Sequence, residues 1–60
     1  MVVYVAGREI HLLPGMKVMH ALMQAGLLKD VEEGKKVYDE WGNEIGLSGA
    51  LWEGARLDVR

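Results

Sequence analysis

The sequence predicts an α+β fold in which one helix covers one face of a mixed sheet of four to five strands. Three observations carry it. Short aliphatic runs flank Gly7-Arg8, Val18, Ala21, Leu22 and Ala25 recur at helical spacing, and Arg56-Leu57-Asp58-Val59-Arg60 alternates charged and apolar residues. The sixty residues hold one domain, 1–60, which buries only about 60% of the surface its unfolded chain exposes.

The first element is a hairpin. Val2-Val3-Tyr4-Val5 and Glu9-Ile10-His11-Leu12 are β-branched or apolar, and glycine first in a Gly7-Arg8 loop suits a type II′ turn. That turn pairs Val5 with Ile10, Tyr4 with His11 and Val3 with Leu12. Val3, Val5, Ile10 and Leu12 then share one face, and a one-residue slip would destroy the segregation. Pro14-Gly15 ends the second strand, because proline has no N–H for the ladder.

The helix follows over Lys17–Ala25, with Gly26 as its stop. Lys17, His20 and Gln24 fall opposite the apolar stripe. No Ser, Thr, Asp or Asn precedes the helix, so its N-cap is weak. Leu27-Leu28 are expected to tuck under the sheet, and Lys29 to Lys36 reads as a polar surface connection. Val37-Tyr38-Asp39 resumes extended structure, Gly42-Asn43 marks a turn, and Glu44-Ile45-Gly46-Leu47 is a weak edge strand whose register the pattern leaves open. Ser48 to Gly54 is a turn-rich crossing into the final strand, with Leu57 and Val59 inward.

Composition excludes several chemistries. Half the residues are hydrophobic and 27% are charged, as in ordinary globular domains. No cysteine is present, which removes disulfides, thiolate metal sites and a cysteine nucleophile, and a reducing cytoplasm is the compartment expected. No apolar run approaches the roughly 20 residues that span a bilayer. The net charge of −2, with acids dense from Glu32 to Glu44, disfavours nucleic acid. An unstapled core this small supplies roughly 3–5 kcal/mol, so association into homo-oligomers would help it.

On Val3-Tyr4-Val5-Ala6-Gly7-Arg8-Glu9-Ile10, Leu13-Pro14-Gly15-Met16-Lys17-Val18 with Ala21-Leu22, and Leu51-Trp52-Glu53-Gly54-Ala55-Arg56-Leu57-Asp58-Val59, the chain resembles the β-grasp (ubiquitin-like) proteins. Within them it is similar to the small sulfur carriers of thiamine and molybdopterin biosynthesis. The resemblance spans nearly the whole sequence and implies a final strand lying beside the first. It also implies that carrier chemistry would reside in a flexible tail ending in two glycines, which is adenylated and then converted to a thiocarboxylate. The sequence stops at Arg60 inside its last predicted strand, so no residue of that site is carried over.

No catalytic, cofactor or metal site is expected. His11 and His20 stand on separate elements and make no zinc or triad pattern, so each reads as a solvated surface histidine. Asp39, Glu40 and Glu44 read as a solvated hairpin tip, because the chain has little volume for a pocket that would split their pKa values. Gly42, Gly46, Gly49 and Gly54 match no phosphate-cradling loop. Met16, Met19 and Met23 lie on one helix flank at the edge of the core. Trp41 is placed at a turn tip and Trp52 in the crossing, one of them exposed as a protein-binding anchor.

The face opposite the helix is expected to carry Val2, Tyr4, His11, Arg56, Asp58 and Arg60. Tyrosine and arginine are enriched at protein interfaces, so the candidate partner-binding residues are Tyr4, His11, Arg56, Arg60, Trp41 and Trp52. The function expected is a non-catalytic interaction module with a protein partner. A degenerate or truncated sulfur carrier is the alternative, and a domain stacking single-stranded RNA on Tyr4 and the arginines is the third.

Overall fold

A computed structural model describes all residues from Met1 to Arg60. The chain forms a five-stranded mixed sheet and two helices, in the order β1 (Val2–Val5), β2 (Arg8–His11), α1 (Val18–Ala25), α2 (Leu28–Glu32), β3 (Val37–Tyr38), β4 (Glu44–Ile45) and β5 (Arg56–Val59). Across the sheet the strands run β2-β1-β5-β3-β4. β1 and β5 are parallel, with Tyr4 beside Arg56 and Val5 beside Leu57, and every other pairing is antiparallel.

The first hairpin corrects the expected turn. Ala6 and Gly7, not Gly7 and Arg8, are its central residues, at φ 51° and 82°. Two successive positive φ values mark a type I′ turn, whose twist also matches the strands. The register becomes Val5 with Arg8, Tyr4 with Glu9, Val3 with Ile10 and Val2 with His11. Each strand has moved one place relative to the Gly7-Arg8 register, a combined shift of two that preserves every face. Val3, Val5, Ile10 and Leu12 are therefore all buried, as their spacing requires.

Helix α1 buries Val18, Ala21, Leu22 and Ala25, and it ends at Gly26 in the left-handed conformation. No side chain of Lys17 caps the start. Instead Val18 N–H donates to the Gly49 carbonyl at 3.1 Å and Met19 N–H to the Leu47 carbonyl at 2.9 Å. The crossing segment thus satisfies amides that a helix start otherwise leaves unpaired. Gly49 is tight against this contact, since a Cβ there would lie 3.1 Å from the Gly46 carbonyl oxygen and 3.4 Å from Val18 Cγ2. At the far end, the Arg8 guanidinium donates to the Ala25 carbonyl at 2.8 Å. It places a cation on the negative end of the helix dipole.

The connection after α1 is partly helical. Residues 28–32 form α2, and Leu27, Leu28 and Val31 pack against the core. Apolar side chains one turn apart explain why this charged stretch coils instead of running as a surface loop. The core itself is one cluster under α1, in which Val3, Val5, Val18 and Leu22 are completely buried and Val37, Ala55 and Leu57 complete the sheet side. Met16 packs against it, Met19 is half-buried, and Met23 is 59% exposed, so the methionine flank divides between core edge and solvent. No helix is long and apolar enough to cross a membrane.

Candidate partner-binding surface

The helices lie on one side of the sheet, and register decides what the other side presents. Residues out of phase with the core positions share that face: Glu9 and His11 on β2, Val2 and Tyr4 on β1, Arg56 and Asp58 on β5, Tyr38 on β3 and Glu44 on β4. Arg60 follows β5 in phase and exchanges backbone hydrogen bonds with Lys36 at 2.7 and 2.9 Å, which extends the β3–β5 ladder by one residue pair. The predicted open-face set is gathered here, joined by Glu9, Tyr38 and Glu44.

Neighbouring strands hold these side chains in place. The Arg56 guanidinium carbon lies 4.8 Å from the centre of the Tyr4 ring, and that of Arg60 lies 4.7 Å from the centre of the Tyr38 ring. Arg60 Nε also donates to Asp58 Oδ2 at 2.9 Å. An arginine face on an aromatic ring gains cation–π attraction while its N–H edges stay free to donate. Two ordered guanidinium–tyrosine pairs therefore stand on adjacent strands.

Both histidines have partners that the sequence reading missed. His11 Nε2 is 2.7 Å from Glu9 Oε2, two residues back on the same strand face, with side chains 72% and 56% exposed. Such an exposed pair contributes about 0–1 kcal/mol. His20 is half-buried at the surface, its Nδ1 accepting the Lys17 backbone N–H at 2.8 Å. The ring performs the N3 role of a capping box, a role that a glutamate would ordinarily fill.

The supposed acidic tip also divides. Asp39 is buried, in phase with Val37 on the core side, while Glu40 and Glu44 are exposed. Asp39 Oδ1 accepts the backbone N–H groups of Trp41 and Asn43, each at 2.9 Å. Its own N–H and C=O close the loop on Asn43 and Gly42. The result is a three-residue hairpin loop, Glu40-Trp41-Gly42, whose last residue sits at φ 83°, where glycine is unstrained.

This loop sets Trp41 beside Trp52. Their ring centroids are 6.0 Å apart with planes inclined at 25°, an offset stack. Both rings reach solvent, Trp41 at 68% exposure and Trp52 at 39%, so the expectation that only one is exposed is corrected. Beside Trp52, Glu53 Oε2 accepts the Val2 N–H at 2.8 Å, which anchors the crossing to β1.

One open depression, of about 260 Å³, lies where α2 meets β3 and β4, lined by Val31, Lys36, Val37, Glu44, Ile45 and Leu47 among others. Lys36 Nζ and Glu44 Oε2 stand 3.7 Å apart on its wall. No three His, Asp or Glu side chains come together at metal-binding distance. No protein-family model, curated protein or solved structure matches the chain.

Proposed function

We propose that the chain is a β-grasp domain that acts by binding a partner protein through its uncovered sheet face. The parallel pairing of the first and last strands side by side, with α1 packed across β1 and β2, supports the reading. The observation that carries the function is the pair of roofed tyrosines, Tyr4 under Arg56 and Tyr38 under Arg60. Ordering an arginine on binding ordinarily costs about 0.5–1.5 kcal/mol, and side chains already held in position lose less. The N–H groups of Arg56, and the terminal N–H groups of Arg60 beyond the Nε that donates to Asp58, are then available to a partner's carbonyl or carboxylate oxygens.

A protein partner suits this face better than a nucleic acid. Glu9, Asp58 and Glu44 stand among Lys36, Arg56 and Arg60, so phosphates would meet carboxylates as often as cations. Cross-linking capture with wild type and with a Tyr4→Ala/Arg56→Ala/Arg60→Ala variant tests the proposal, with circular dichroism confirming that both are folded. The wild type is expected to capture a protein that the variant loses. Identical capture by the two would defeat the open-face reading.

A further inference from the structure

The stacked tryptophans form a second surface that the open-face reading leaves unused. Sequence places them eleven positions apart in separate connections, and the fold brings them together with much of both rings in water. Contiguous exposed aromatic area of this kind is a recurrent feature of interaction sites. Three observations indicate what binds here.

The first is charge. Carboxylates sit next to both tryptophans in sequence, Glu40 before Trp41 and Glu53 after Trp52, both on exposed residues, and no lysine or arginine lies between Val37 and Ala55. The second is where the protein's own cations go. Arg56 and Arg60 lie on Tyr4 and Tyr38, while neither indole, the better cation acceptor, carries a guanidinium. The third is rigidity. Asp39 Oδ1 accepts the Trp41 backbone N–H at 2.9 Å and the two indoles stack on each other, so the tryptophan pair is held together before any ligand arrives.

The geometry points to Trp41 and Trp52 as a docking platform for an arginine-bearing peptide segment of a partner protein. A guanidinium plane lies flat on the outer face of Trp41, the face not turned to Trp52, and its N–H groups donate to the Glu40 carboxylate. Arginine fits better than lysine, because a planar cation stacks on an indole and presents its donors at the edge. Acidic peptides are repelled by the same carboxylates. The site uses none of the open-face residues, so it stands or falls independently of that surface.

Trp41 and Trp52 are the only tryptophans, so indole emission reports on this platform alone. The full chain is titrated with a short glycine–arginine peptide, with a glycine–glutamate peptide of equal length, and with tetramethylammonium. The arginine peptide is expected to give a saturable emission change that weakens as salt rises, and the glutamate peptide none. Followed by backbone amide shifts, Trp41→Ala should lower the affinity about two- to fivefold or more, and Glu40→Gln should lower it in the same direction. Circular dichroism confirms the folded state of each variant. An unsaturable response, an undiminished affinity in Trp41→Ala, or tetramethylammonium binding as tightly as the peptide would overturn the assignment.

Discussion

Replacing Ala6 should make the protein more stable, and the sign of the effect distinguishes two registers of the first hairpin. Ala6 occupies the left-handed region at φ 51°, on the surface, with Gly7 following at 82°. That conformation costs an L-alanine roughly 1–2 kcal/mol because its Cβ crowds the following carbonyl. Glycine removes the crowding but returns about 0.5–1 kcal/mol through the greater freedom of the unfolded chain. Ala6→Gly should therefore gain about 0.5 kcal/mol. Ala6→Asn should gain about 1 kcal/mol, since Asn-Gly is the preferred type I′ pair. Against a total of roughly 3–5 kcal/mol this is a large fraction, and it raises the melting temperature by about 4–8 °C per kcal/mol. Thermal and urea denaturation by circular dichroism measure it. Had the turn been Gly7-Arg8, Ala6 would be extended at the end of β1, and glycine there would cost about 0.5–1 kcal/mol. Melting of both variants at or below the wild-type temperature would refute the type I′ assignment.

Four further substitutions probe other joints. Asp39→Ala leaves the Trp41 and Asn43 amides without their acceptor and should cost about 1–3 kcal/mol in urea denaturation, while Asp39→Asn, which keeps an acceptor oxygen, should cost less. Indole emission should change in the alanine variant, because the loop that orients Trp41 is released. Leu22→Ala empties a completely buried site and should cost about 2–5 kcal/mol, enough to leave the far-ultraviolet spectrum that of a largely unfolded chain at 25 °C. Gly49→Ala forces a methyl group against Gly46 and Val18 and should cost about 1–3 kcal/mol, read as a lower denaturation midpoint with an unchanged slope. Arg8→Ala removes the bond to the Ala25 carbonyl and should cost about 0.5–1.5 kcal/mol, with the loss seen as faster amide exchange in the last turn of α1.

Much of the fold can be read from pattern because its strongest signals are periodic. The stripe Val18, Ala21, Leu22, Ala25 defines α1, and the alternation about Leu57 defines β5. The first hairpin shows where pattern stops. A combined register shift of two leaves every residue on its face, so hydrophobic alternation cannot separate the turns, and backbone sterics at Ala6 and Gly7 decide. Helix α2 was missed because its charges outweighed the one-turn spacing of Leu27, Leu28 and Val31, which was the available signal. Asp39 two residues before Trp41 and three before Gly42 is likewise an Asx-turn signal that could have been read. The open face was legible once β5 was set beside β1. The tryptophan stack was not, since the two residues sit in different connections that only the closed sheet brings together.

The tie between the start of α1 and the Gly46–Gly49 segment bears on how the chain comes to fold during synthesis. The carbonyls of Leu47 and Gly49 that receive the helix's opening amides are made half a chain length later, and the partner of β1 in the middle of the sheet is the last strand of all. Until Leu47, Gly49 and β5 have emerged from the ribosome, α1 lacks the acceptors that hold its opening turn and β1 has only its hairpin neighbour. Closing so wide a loop precedes any reward from the contacts it enables. Nascent chains should therefore stay protease-sensitive until β5 has emerged, and then acquire helix and sheet in a single concerted step.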